Sequence, residues 1–270
     1  MTPRGLTVFV RGVGVLGPGW ADWSSARALL CDPAAWRPSP TALPMPGNLP
    51  PAERRRASDI VKLSLAVAEQ ACRDTGVDTR TLATVFSAST GDANNCHALC
   101  EALASAERMV SPTRFTNSVH NAAAGYWHIA TASQAPSTSL SGFDASFGAG
   151  LIESVVQCST AQRAVLLVTG DVPYPEPLWS TRPVSTALGV ALLLSPEPSA
   201  YDLARLVVQP GDAPSSTLAD PDLEALRVAV PAGRGLPLLR ALARRETTTV
   251  VLDYLGGLTL SVDVTMAERA

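Results

Sequence analysis

Lysine is nearly missing from this chain: Lys62 is the only one among 21 basic residues, against 24 acidic ones, and the formal net charge is −3. Such a chain has no positive field with which to hold a phosphate backbone, so nucleic acid is excluded as an expected partner. The Arg54-Arg55-Arg56 run reads as the solvated start of a helix. Cysteine is sparse and odd in number, five in 270 residues, which excludes a disulfide framework. No uncharged apolar run is long enough to cross a bilayer, and Arg4 is not followed by an apolar stretch and a small-residue cleavage site. The expectation is a reduced, cytoplasmic protein with no membrane contact. Charged residues make up only 17% while hydrophobic residues reach 46%, the balance of a globular chain with a sizeable core rather than a disordered one.

The apolar pattern alternates between strands and helices. Leu6 to Arg11 reads as a buried strand ended by the glycines of GVGVLGPG. A helix is expected over Trp23 to Leu30, then a proline-rich loop from Asp32 to Pro51. Arg56 to Thr75 is apolar on more than one face and is stopped by Gly76, as a largely buried helix would be. Strands are expected at Thr84–Ser89, Ser137–Gly142, Ala164–Gly170 and Leu188–Leu194. Helices are expected at Asn95–Glu107, Asn121–Ser133 and Gly148–Ser159. Unbroken apolar runs such as AVLLVTG suit strands covered on both faces. The alternation predicts a layered α/β fold, a mixed sheet with helices on both faces. After Ser195 the texture changes. Strands at Leu203–Val208, Thr247–Asp253 and Leu258–Val264 and helices at Pro221–Val228 and Leu236–Arg244 are expected there. The division is residues 1–195 as the main domain and 196–270 as a short divergent extension packing on it.

Two motifs invite cofactor or metal readings. Gly12-x-Gly14-x-x-Gly17 has the spacing of a dinucleotide-binding turn, but Pro18 and Gly19 interrupt the helix such a turn must open, so a tight turn is expected and no cofactor. Cys96-His97-x-x-Cys100 lacks the second ligand pair that zinc needs, so semi-buried helix cysteines are expected and no metal. No His-Asp pair is placed to activate Ser141 or Ser146.

Several segments resemble β-ketoacyl synthases of the thiolase superfamily in order and spacing: VFVRGVGVLGPG, RASDIVKLSLAVAEQACRDTGVD, TVFSASTGD and GVALLLS. The strongest match is SPTRFTNSVHNAAAGYWHIATASQAPSTSLSGFDAS, Ser111 to Ser146, which aligns without a gap. The resemblance covers about the first 195 residues and implies a thiolase-like layered half, truncated relative to full ketosynthases. It departs from the family where chemistry is done. The nucleophile position, a cysteine in ketosynthases, falls on Asp144, for which the readings are a catalytic acid or a cap on the first helical amides. The family's two catalytic histidines come from its second half, whereas His97, His120 and His128 all precede Asp144.

The resemblance therefore implies a non-catalytic subunit of chain-length-factor type, like the half-length partners of aryl-polyene-type pathways in fatty acid and polyketide biosynthesis. Its implied partner is a catalytic ketosynthase subunit in a heterodimer, with an acyl carrier protein reached through that complex. Residues carried over to the partner's acyl tunnel and the interface are Arg114, Phe115, Ser118, His120 and Asn121. Two other readings stay open: an acyl or malonyl decarboxylase or hydrolase using Asp144, and an independent structural homodimer. The Pro173–Pro183 stretch, with Tyr174 and Trp179, reads equally as an interface loop or a plain surface loop.

Overall fold

The computed structural model of the chain describes residues 5–268. In chain order the elements are β1 (Leu6–Leu16), α1 (Trp23–Cys31), α2 (Pro51–Arg56), α3 (Asp59–Cys72), β2 (Ala83–Ser87), α4 (Ala93–Ala104), α5 (Pro112–Thr116), α6 (Ala122–Thr131) and β3 (Ser137–Leu140). There follow α7 (Ser146–Ala161), β4 (Val165–Asp171), α8 (Leu178–Thr181), β5 (Leu188–Ser195), β6 (Ala204–Gly211), α9 (Pro221–Ala229), α10 (Leu236–Arg244), β7 (Thr248–Asp253) and β8 (Thr259–Met266).

All eight strands form one mixed sheet in the order β3-β2-β4-β5-β1-β6-β8-β7. The β3-β2-β4 side is parallel and the remaining pairs are antiparallel. Alternation along the strands feeds two cores. Val165, Leu167, Val190, Leu192 and Leu194 face one layer with α1, α7, α9 and α10. Leu166, Val168, Ala191 and Leu193 face the other, made by α3 and α6. The apolar runs are continuous because both faces are covered. Among the described residues no helix is long and apolar enough to cross a membrane.

The first strand does not stop at its glycines. It runs through Gly12 and Gly14 because they face α3: a Cβ on Gly12 would lie 1.9 Å from the Ala71 carbonyl oxygen, and one on Gly14 at 1.9 Å from that of Val67. These glycines let a helix backbone touch the sheet, a packing role that a turn motif resembles in sequence. The chain turns only at Gly17–Trp20, where the two residues exchange backbone hydrogen bonds at 3.0 Å. The next helix, α1, opens later, capped by Asp22.

The arginine run ends a helix instead of starting one. Arg54, Arg55 and Arg56 form the last turn of α2, and Ala57 in extended conformation separates it from α3. Beyond Ser195 the three expected strands all join the sheet: β6 lies antiparallel along β1, and β8 and β7 follow. α10, strongly amphipathic, buries Leu238, Leu239 and Leu242 in the same core as α7.

Candidate functional site

At the end of β3 the chain bends sharply through Ser141 and Gly142 into a short 3-10 turn, Phe143–Ala145, that runs directly into α7. The tip is Phe143, whose φ of +55° is a conformation a bulky side chain adopts only at a cost. The Ser146 hydroxyl fixes the bend, accepting from the Gly142 amide at 3.0 Å and donating to the Phe143 carbonyl at 2.7 Å. Below it, Ser87 Oγ donates to the Ser146 carbonyl at 2.7 Å. A Cβ on Gly150 would lie 2.9 Å from Ser87 Cβ, so the small residue seats α7 against β2. The result is a strand–strained turn–helix elbow at the C-terminal end of the parallel strands, where open α/β sheets present functional groups.

Asp144 does not cap α7. The helix has no side-chain cap, and the Asp144 carboxylate forms an ion pair with Arg182 instead. The arginine, carried by the loop after β4, is held from several sides. Its guanidinium lies 3.8 Å from the centroid of the Phe143 ring and 5.6 Å from that of Tyr174, a cation–π sandwich. Its Nη1 donates to the Tyr174 hydroxyl at 3.1 Å. Tyr174 meets Ser89 Oγ at 2.5 Å, and Ser89 Oγ reaches the Asp171 carboxylate at 2.5 Å. The chain Arg182–Tyr174–Ser89–Asp171 is a directed relay, each member donating to the next.

Asp171 is buried at the end of a strand whose one other polar residue is Thr169. Burial pushes its carboxyl above the usual range, opposed by the hydrogen bonds from Ser89 and from the Ala232 amide at 2.9 Å. Through that amide the relay ties β4 to the segment before α10.

The elbow thus presents an exposed phenyl ring, a paired carboxylate and a clamped guanidinium. None of the three histidines hydrogen-bonds to Phe143, Asp144 or Arg182 among the described residues: His97 pairs with Glu101 on α4 at 3.3 Å, while His120 and His128 line a cavity at the β3 edge. No buried thiol replaces the nucleophile. Burial pushes Cys158 up to about 11 and Cys72 up to about 12, so both are thiols at neutral pH. Cys96 and Cys100 are exposed rather than semi-buried. No metal-holding group of three or more ligands occurs among the described residues.

The residues carried over by resemblance split into two places. Arg114 and Phe115 lie on α5, with Phe115 69% exposed, and Ser118 follows them. Leu99, Leu103, Val110 and Pro112 join Phe115 and Ser118 around an apolar groove of about 520 Å3. His120 and Asn121 lie instead in the second cavity, about 460 Å3, between α6 and β3. Sequence reasoning missed Phe143, Tyr174, Arg182, Ser89 and Asp171. The one signal was Asp171 itself, a carboxylate closing a strand with no other polar residue but Thr169.

Residues 20–249 match the family described as beta-ketoacyl synthase, N-terminal domain, so the match continues past the change of texture at Ser195. No curated protein matches the sequence. Among solved structures, the chain is similar to one from a ketosynthase in complex with its chain length factor from Xenorhabdus doucetiae, at 22% identity and a TM-score of 0.72, covering 96% of this chain and 99% of that one. It is similar to one from the ishigamide ketosynthase/chain length factor, at 14% identity and a TM-score of 0.73, covering 98% and 100%. A third likeness, at 11% identity and a TM-score of 0.72, covering 98% and 100%, is to a structure of a type II PKS acyl-carrier protein in complex with its ketosynthase bound to the hexaketide. These likenesses carry the thiolase-like fold, and the match over most of the sequence carries the family: the chain belongs to the β-ketoacyl synthase N-terminal domain family.

Proposed function

We propose that this protein is a non-catalytic, chain-length-factor-type subunit that pairs with an active ketosynthase and shapes its acyl tunnel in fatty acid or polyketide biosynthesis of the aryl-polyene kind. The observation that carries the reading is the elbow. The position that the resemblance gives to the family's sulfur nucleophile holds Asp144, next to the strained tip Phe143, and its carboxylate is paired with Arg182. A guanidinium stacked on Phe143 and paired with Asp144 engages the carboxylate that would otherwise serve as a base, and no thiol stands there to carry an acyl chain.

Two further features support pairing. β3 is an edge strand whose outer side has no partner among the described residues. Phe115 and Val119, in the segment before α6, and Ile129 on α6 are 69%, 52% and 48% exposed, large apolar groups that a monomer gains nothing by exposing. The similar structures include ketosynthase and chain length factor pairs and a carrier-protein complex, which supports a ketosynthase as the partner and an acyl carrier protein reached through it.

The test is a loading assay combined with product analysis. After incubation with acyl and malonyl carrier protein, the intact mass of this chain is expected to be unchanged, and Asp144→Ala to leave the activity of the mixed complex unaltered. Adding the chain to its ketosynthase is expected to change product length. A covalent acyl adduct on the chain, or turnover by it alone that Asp144→Ala abolishes, would establish the altered-chemistry enzyme instead.

A further inference from the structure

The Arg182 guanidinium is held in place without help from the carboxylate paired with it. The arginine closes the turn of α8: its amide donates to the Leu178 carbonyl at 2.9 Å, and its carbonyl accepts from the Val184 amide at 2.9 Å. The Tyr174 amide ties the loop back, donating to the Val184 carbonyl at 3.0 Å. The side chain lies on the Phe143 ring and donates to the Tyr174 hydroxyl, which the buried Ser89 and Asp171 anchor in turn. It is 16% exposed, so its charge is largely withdrawn from water. Among the described residues Asp144 is the one carboxylate within 4 Å of that charge. Asp171 is reached only through two hydroxyls.

Asp144 comes from a different element. Its turn is fixed by the Ser146 hydroxyl, not by its own side chain. Among the described residues its carboxylate hydrogen-bonds to Arg182 alone, and it is 51% exposed, so the pair is open to solvent on the carboxylate side. Seat and occupant are thus held independently. Removing the Asp144 carboxylate leaves a preorganised, mostly desolvated cation that has lost its one close counterion. The N–H fork of a guanidinium matches the two oxygens of a carboxylate, and the group it holds here is a carboxylate.

We infer that the elbow is a carboxylate-binding site filled from within: Asp144 is its resident ligand and keeps acidic acyl groups of the malonate class off Arg182. The site's purpose rests on the non-catalytic reading above, since an elbow that carries its own carboxylate is closed to acid substrates. A tethered group acts at an effective concentration in the millimolar range, so a free carboxylate at lower concentration does not displace it. The chain's own side chain is an autoinhibitory contact at the position the family uses for chemistry.

Titration of the full chain with isotopically labelled malonate, followed by NMR line broadening at constant ionic strength with chloride as the balancing anion, tests this. Asp144→Ala is expected to bind malonate at least roughly tenfold more tightly than the wild type, with acetate competing for the same site. Adding Arg182→Met to Asp144→Ala should abolish that binding. Asp144→Asn, which keeps the shape and drops the charge, should fall between the wild type and Asp144→Ala, and it carries the test should the alanine variant not fold. Malonate binding by a folded Asp144→Ala or Asp144→Asn that is no tighter than wild type would overturn the proposal, as would binding that survives Arg182→Met. The titration needs no ketosynthase. A chain that pairs with none would remove the reading above and leave the titration to decide the seat.

Discussion

At one end of the sheet the β7 edge is covered. The amide of Ser216 donates to the Val251 carbonyl at 2.8 Å, and Ser216 Oγ accepts from the Val251 amide at 3.0 Å. Ser215 adds a bond to Asp253 at 2.6 Å, and the same carboxylate anchors Arg227 and Arg234. At the other end, β3 has four residues, is half-exposed and lacks any such cover among the described residues. An unpaired edge templates association unless it is blocked, and here one edge is blocked by the chain itself while the other is short and polar. The contrast places the locked contacts at one end and, on the proposed reading, pairing at the other.

Substitutions at the two ends should therefore separate stability from pairing. The largest effect is expected at Gly148, where α7 meets the end of β7. An added Cβ would lie 2.2 Å from the Asp253 carbonyl oxygen, a backbone atom that cannot rotate away. Gly148→Ala should cost about 3 kcal/mol in denaturant unfolding, at the upper end of overpacking. Next comes Arg227, whose side chain is 7% exposed and bridges Glu224 at 2.7 Å and Asp253 at 3.1 Å. Arg227→Ala should cost about 2–3 kcal/mol, somewhat below a fully buried pair because Arg234 still reaches Asp253.

A smaller and pH-dependent effect belongs to Glu224. Hydrogen bonding to Arg227 holds its carboxyl below the ordinary 4.5. A depressed folded value means the contribution is present above pH 4.5 and is lost as pH falls through that lower value. Glu224→Gln should cost about 0.5–1 kcal/mol at neutral pH, limited by solvent screening, and the gap to wild type should close in acid. The smallest stability effect is expected at the bare edge. Ser139→Pro removes an outward amide that no described residue uses and should shift unfolding by less than about 0.5 kcal/mol. An equally destabilising Ser139→Pro would break the contrast between the two ends.

Much of the fold was legible because it rests on periodicity. α10 occupies the expected Leu236–Arg244, and the apolar runs of β4 and β5 mark strands covered on both faces. Glycine misled where its reason was packing. Gly12 and Gly14 look like a turn in sequence, but they sit mid-strand because α3 lies against them, a long-range fact that local pattern does not carry. The site was legible only as an absence. The missing cysteine and histidines can be read from the sequence, but the clamp that fills the gap joins residues 38 positions apart, Asp144 and Arg182, and a relay from Ser89 to Tyr174 across 85. Nothing local marks Arg182 as different from the chain's other arginines. Phe143, next to the expected Asp144, is identified as the tip only by its backbone angle.

The most direct measurement is the mass in solution of an equimolar mixture of this chain with the proposed ketosynthase partner, using wild type and Ser139→Pro side by side. A one-to-one complex with the wild type and two separate species with the proline variant, at unchanged thermal stability, is the predicted result. A proline variant that still joins the ketosynthase as tightly as the wild type would contradict the assignment of β3 as the pairing edge.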